Sequence, residues 1–111
     1  MIIGTTLIYP GTTTDKYYSP AFPRGGEAAT FTVEATFVNG TPTLVVAVEH
    51  RNEDEAAWAG AGTFANITAA GVENKDVTGL KELIRLSYSF SSGSSGDLVH
   101  VVVPAPAWRP Y

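Results

Sequence analysis

The sequence predicts an all-β chain: a single β-sandwich or jelly roll of about six to eight short antiparallel strands, with extended N- and C-terminal segments. Several stretches alternate apolar and polar residues with a period of two, which is typical of half-buried strands. Turn residues separate these stretches at short intervals. The length of 111 residues fits one domain, so we expect a single β-sandwich domain over residues 1–111.

Six stretches of the chain account for this prediction. In chain order, the predicted strands are 2–9, 30–38, 43–50, a weaker one at 63–68, 83–90 and 98–103. The second stretch has the clearest pattern, because Phe31, Val33, Ala35 and Phe37 alternate with polar residues. We expect these four side chains to share the buried face of one strand.

The connections between the strands contain turn residues. Asn39 and Gly40 form a dipeptide that tolerates positive φ, which predicts a turn after the second strand. The Ser- and Gly-rich run 91–96 predicts a flexible hairpin loop. Only 53–59 and 78–83 could form a helical turn, and both are too short to change the fold class.

Two segments do not have a core pattern. Residues 10–26 form a loop or arm rich in Pro and aromatic residues, and residues 104–111 form a Pro-rich extended tail. Proline cannot donate to a strand ladder and favours an extended chain. We expect these two segments to carry contacts between subunits.

Composition limits the possible partners. The net charge is −4, and 7 basic residues are scattered through the chain, so nucleic acid is not an expected partner. No apolar run is long enough for a transmembrane helix, so no membrane partner is expected either. The absence of Cys excludes disulfides, thiol catalysis and Cys-zinc sites. Charged residues are 16% of the chain, below the usual share of about 25%.

No motif predicts catalysis. The glycines and serines of 93–96 do not form a nucleophile elbow, and neither His50 nor His100 has the sequence context of a triad. We therefore predict that the protein is not an enzyme, with no catalytic residues, no cofactor and no metal site. The acidic run 53–55 leaves cation binding open, although Arg51 beside it opposes a cation.

The aromatic residues near strand ends have two interpretations. They either cap the ends of the sandwich or form a contact surface, because Tyr and Trp are common interface anchors. The candidate interface residues are Tyr9, Tyr17, Tyr18, Phe22, Trp58, Trp108, Arg109 and Tyr111.

Residues 58–64, 71–72 and 79–88, together with the end that contains Pro and Trp, resemble small virion proteins of tailed bacteriophages. Among these the chain is most similar to capsid decoration, or cement, proteins. The resemblance implies a β-sandwich that binds the outside of a capsid lattice and bridges neighbouring copies of the major capsid protein. It further implies a homo-oligomer, often a trimer, on the virion surface, and in the host cytoplasm during assembly.

Two other functions stay open at this point. One is a carbohydrate-binding sandwich in which Trp58 or Trp108 stacks on sugar rings. The other is a different virion component, such as a tail or head–tail connector protein. The number of copies in each particle distinguishes a lattice protein from a ring component.

Overall fold

Two five-stranded antiparallel sheets pack against each other, which confirms the all-β prediction. The computed structural model describes residues 2–8, 16–93, 97–104 and 106–109. Within these ranges there is no helix: 53–59 contains a turn and bends, and 78–83 leads directly into a strand. The strands are β1 (Ile2–Ile8), β2 (Lys16–Tyr18), β3 (Phe22–Pro23), β4 (Ala28–Asn39), β5 (Thr43–Arg51), β6 (Ala59–Thr63), β7 (Gly71–Val77), β8 (Leu83–Ser92), β9 (Leu98–Pro104) and β10 (Ala107–Arg109).

The first sheet has the order β1-β9-β4, with β7 and β10 also paired to β4. The second sheet places β2 and β3 beside β8, followed by β5 and β6. Every pairing in both sheets is antiparallel. Sheets of this kind bury one face and leave the other in contact with solvent, which gives the alternation seen in the sequence.

The core lies between the two sheets and comes from alternate positions of the four longest central strands. Its fully buried members are mostly β-branched and aromatic residues, which pack well on a pleated surface. They include Phe31, Val33, Leu44, Val46, Val48, Ile84, Leu86, Val99, Val101 and Val103.

A β-bulge moves one residue that was predicted to lie in the core to the surface. The register of β4 against β9 shifts between Ala35 and Phe37, so that Phe37 lies opposite His100. The extra residue turns Phe37 to the outer face, where its side chain is 53% exposed. The expectation that Phe37 belongs to the core is therefore wrong. Val38 instead packs against the core.

The C-terminal segment is part of the first sheet. Ala107, Trp108 and Arg109 pair with the start of β4, and Pro106 before them is buried. The Trp108 ring lies edge-on to Phe22 and Phe31, with centroid distances of 6.4 and 6.1 Å. Residues 107–109 therefore complete the sheet at the end of the sandwich.

Two other strand predictions need revision. β7 was not predicted, because its residues have no apolar alternation, yet it pairs with β4 from Val77 to Gly71. Of the weak strand predicted at 63–68, Thr63 is the last residue of β6, and Ile67 forms an isolated bridge with Leu44. The turn after β4 is confirmed, and Gly40 there has a φ of 84°, which suits glycine.

Candidate functional site

The candidate interface residues fall in three places. Phe22 and Trp108 pack together at one end of the core, as expected of residues that cap a sandwich. Tyr17, Tyr18 and Trp58 lie nearer the surface of the second sheet. Arg109 is the last residue of β10 and pairs with Ala28. Tyr9 and Tyr111 lie outside the described residues.

The outer face of the second sheet carries a cluster of two aromatic rings and two arginines. The guanidinium carbon of Arg85 lies 3.8 Å from the Tyr18 ring centroid and 4.5 Å from the Trp58 ring centroid. The guanidinium carbon of Arg51 lies 5.1 Å from the same Trp58 centroid. All three contacts are within the range of cation–π attraction. We call Tyr18, Trp58, Arg51, Arg85 and Glu49 the aromatic–arginine cluster.

The strand pattern explains why these residues meet. Ile84 and Leu86 are buried in the core, so Arg85 between them lies on the outer face of β8. Its register partner on β5 is Glu49, and Tyr18 on β2 lies opposite Ser87. Three neighbouring strands thus place tyrosine, arginine and glutamate side by side.

Arg85 is neutralised within the cluster. Its Nε donates to Oε1 of Glu49 at 2.8 Å, and the two side chains are only 21% and 16% exposed. A partly buried arginine is suited to this place, because its planar group can stack on a ring and bind a carboxylate at the same time. Glu49 therefore neutralises the arginine that lies between the two rings, and Arg51 keeps its positive charge.

The loop between β5 and β6 holds Trp58 in place. Arg51 Nη1 donates to the Glu55 carbonyl at 2.6 Å, and the Asn52 N–H donates to the Glu55 carboxylate at 2.9 Å. Lys81 Nζ also binds that carboxylate, at 3.0 and 3.2 Å. The Asn52 N–H and then Lys81 lower the pKa of Glu55.

The acidic run 53–55, for which cation binding was left open, has a structural use for one of its carboxylates. Glu55 is committed to Lys81 and to the loop backbone, and the Glu53 N–H donates to Glu82 Oε1 at 3.3 Å. Across the described ranges, no group of His, Asp and Glu is arranged to hold a metal ion. Through Glu55 and Lys81, the acidic loop is tied to the residues that lead into β8.

Both histidines have structural hydrogen bonds. His50 Nδ1 accepts from the Lys81 N–H at 3.3 Å. Burial lowers the pKa of His50, and the charge of Lys81 lowers it further against the opposing effect of Glu55. His100 Nδ1 is bonded to the Thr36 hydroxyl on the first sheet. The two rings lie in different sheets and serve separate contacts.

On β5 and β8, the outer face beside the cluster is built from small, uncharged side chains. On the central strands β5 and β8, Val45 lies opposite Ser89 and Ala47 lies opposite Ser87. Tyr17 and Tyr18 at the sheet edge are 41% and 47% exposed. Small residues beside exposed aromatic rings allow a partner to approach the sheet closely and bury apolar area. The serine hydroxyls and the arginines can donate hydrogen bonds to the same partner.

Trp58 and Tyr18 were named from the sequence as candidate interface residues, but Arg51 and Arg85 were not. Arg85 and Arg51 are 34 residues apart and meet Trp58 only through the pairing of β5 with β8. The only sequence signal was the position of Arg85 on the polar side of a strongly alternating strand.

Comparison with known proteins gave no match: no protein-family model, no curated protein and no solved structure is significantly similar to this chain. In the described part of the chain, no helix is long and apolar enough to cross a membrane.

Proposed function

We propose that this protein is a structural, non-catalytic module that docks on another protein through the outer face of its second sheet. The aromatic–arginine cluster is the anchor of this surface. The observation that carries the proposal is the arrangement of Tyr18 and Trp58 around Arg85, with centroid distances of 3.8 and 4.5 Å. Preordered aromatic and arginine side chains are the groups that most often dominate protein interfaces.

The exposure of the rings supports docking. Tyr18 is 47% exposed although it is stacked on Arg85, so a large part of the ring is free for a partner. Because the stack already fixes its side chain, little rotamer entropy is lost on binding. Phe22 and Trp108, in contrast, are engaged in the core of their own chain.

A role without catalysis agrees with the use of the polar residues. Each histidine has a ring nitrogen in a structural hydrogen bond, and Glu49 and Glu55 are paired with Arg85 and Lys81. These groups stabilise the sheets and loops.

The resemblance to decoration proteins gives the partner that we propose: the major capsid protein of a tailed bacteriophage. The chain would bind the outside of the capsid lattice as a homo-oligomer, a trimer by that resemblance, and bridge neighbouring subunits. A lattice offers many equivalent sites, so a modest surface on each copy is sufficient when several copies bind together. The low charge of the chain favours close packing of identical acidic neighbours.

The test is sedimentation of the purified chain with shells assembled from the major capsid protein. Tyr18→Ala and Trp58→Ala are each expected to weaken binding by at least about tenfold. Phe37→Ala is the matched control, because Phe37 is also an exposed aromatic residue but lies on the outer face of the first sheet. Circular dichroism confirms that each variant is folded.

Binding that is lost equally in all three variants, or in none of them, contradicts docking through the second sheet. No binding of the wild-type chain to shells contradicts the capsid partner. In that case glycan binding by Trp58 and Tyr18 is the next function to test. We rank it lower because two arginines already occupy the Trp58 ring, so a sugar would have to displace them.

A further inference from the structure

Two arginines of the aromatic–arginine cluster share one tryptophan ring, but they are neutralised to different degrees. The guanidinium carbons of Arg85 and Arg51 lie 4.5 and 5.1 Å from the Trp58 centroid. Arg85 forms an ion pair with Glu49. Arg51 donates to backbone carbonyls, which are neutral, among them that of Glu55 at 2.6 Å. The cluster therefore contains one positive charge more than it contains carboxylates.

The carboxylate nearest to Arg51 in the sequence is used elsewhere. The Glu55 carboxylate accepts from the Asn52 N–H at 2.9 Å and binds Lys81 Nζ at 3.0 and 3.2 Å. Glu55 offers only its carbonyl oxygen to Arg51. In the described part of the chain, Arg51 takes part in no ion pair. Its charge is left for a group outside the chain.

Both guanidinium groups also keep donors that are accessible. A guanidinium donates from Nε and from both Nη atoms. Among the described residues, Arg85 donates only from Nε, and Arg51 donates only from Nη1. Within the same ranges, no buried side-chain nitrogen or oxygen lacks a hydrogen-bond partner. The other guanidinium nitrogens of Arg51 and Arg85 are therefore not buried, and they can donate to a ligand.

The chemistry that fits these donors is a carboxylate. Arginine binds a carboxylate through parallel N–H···O bonds, and such charged hydrogen bonds are about twice as strong as neutral ones. A phosphate would fit the same donors, but a net charge of −4 opposes binding to a nucleic acid. The exposed ring of Tyr18 lies beside these donors, so a partner that covers it would also exclude water from the ion pair.

We propose that Arg51, together with the free donors of Arg85, forms a carboxylate-binding site that takes an aspartate or glutamate side chain of the docking partner. Tyr18 and Trp58 flank this site and pack on the residues around that side chain. The inference rests on the function proposed above and adds the chemical group that the docking surface recognises.

Removing the carboxylates of the partner tests the proposal without changing the chain. Shells of the major capsid protein are treated with a carbodiimide and glycinamide, which converts exposed carboxylates into neutral amides, and electron micrographs confirm that the shells stay intact. The wild-type chain should bind the amidated shells at least about tenfold more weakly than untreated shells in sedimentation. Equal binding to both kinds of shell overturns the carboxylate partner.

A variant of Arg51 tests which residue holds the carboxylate. Arg51→Gln removes the charge that has no carboxylate and should weaken binding to untreated shells by at least about tenfold. Amidation should then have a much smaller effect than on the wild type, because both changes remove the same contact. An Arg51→Gln variant that loses as much binding on amidation as the wild type overturns the assignment.

Two further variants separate charge from folding. Lys75→Gln removes one positive charge from β7 of the first sheet and should bind, and respond to amidation, like the wild type. Arg51→Lys keeps the charge, and both lysine and glutamine can donate to the Glu55 carbonyl. The lysine variant should therefore bind untreated shells more tightly than Arg51→Gln. Equal binding of these two Arg51 variants overturns a charged contact.

The two proposals fail in different ways. A wild-type chain that does not sediment with untreated shells contradicts the capsid partner, and the carboxylate site falls with it. Binding that depends on Tyr18 and Trp58 but is unchanged by amidation contradicts only the carboxylate site and leaves the docking surface in place.

Discussion

At the scale of single residues, Gly25 is fixed by the ring that covers it. A Cβ atom at this position would lie 2.8–2.9 Å from three carbon atoms of the Trp108 indole. The indole is held by edge contacts with Phe22 and Phe31 and cannot move away freely. The close approach of Gly25 is therefore what allows the C-terminal strand to sit on the end of the core.

We expect Gly25→Ala to lower the free energy of unfolding by about 1–3 kcal/mol, because the added methyl group forces the Trp108 ring out of its site. Gly60→Ala is the matched control. A Cβ at Gly60 meets nothing within 4 Å, so the change there should stay within about 0.5 kcal/mol. Urea unfolding of both variants measures the difference. Equal effects would show that Trp108 does not depend on Gly25.

The contacts of Arg85 could not be predicted from the sequence. It was visible only as a polar residue on an alternating strand, between Ile84 and Leu86. Its role depends on Tyr18, Glu49 and Trp58, which come from three other parts of the chain. A cluster of this kind is defined by strand register, and sequence patterns do not give the register between distant strands.

At the scale of elements, apolar runs and hydrophobic alternation were sufficient to predict the strands of the core. β1, β4, β5, β8 and β9 lie where strands were predicted, and the period of two is clearest in β4 and β8. β7 was missed because even its inward positions include the charged residues Glu73 and Lys75, as befits an edge strand.

The sequence pattern also failed to predict β10 and the bulge in β4. The prolines at 104 and 106 indicated a tail outside the sheet, yet the three residues after them pair with β4. At the bulge, one extra residue reverses the alternation, so Phe37 turned from an expected core residue into an exposed one.

The contact between His50 on β5 and Lys81 just before β8 makes the stability of the protein depend on pH. Burial, followed by the charge of Lys81, holds the pKa of His50 below its ordinary value of 6.5. Below that value the unfolded chain binds a proton that the folded chain does not yet take up. Stability due to His50 is therefore full above the unfolded pKa and falls as the pH decreases towards the folded pKa.

We expect the wild type to lose more stability than His50→Asn between about pH 7.5 and about pH 5.5. The asparagine keeps an acceptor for the Lys81 N–H but does not titrate. Urea unfolding at both pH values provides the measurement. Glu55 also contributes stability that is lost as the pH falls, but at a lower pH than His50, because its pKa is lowered from 4.5. An identical pH dependence in the two proteins would show that His50 does not contribute to the loss of stability in acid.

At the scale of the whole molecule, the proposed docking surface occupies one side of the sandwich. The aromatic–arginine cluster lies on the outer face of the second sheet, and the first sheet packs against the opposite face of that sheet. A module that docks through one face could bind side by side with its own copies on a repeating lattice.

The most direct test of the proposed function is an image, by electron cryomicroscopy, of shells of the major capsid protein mixed with the purified chain. We predict on the order of hundreds of copies, one set for each repeat of the lattice, with the second sheet turned towards the capsid surface. Copies confined to a ring of about six or twelve, or a particle without the chain, would contradict it. So would a lattice in which the aromatic–arginine cluster faces solvent.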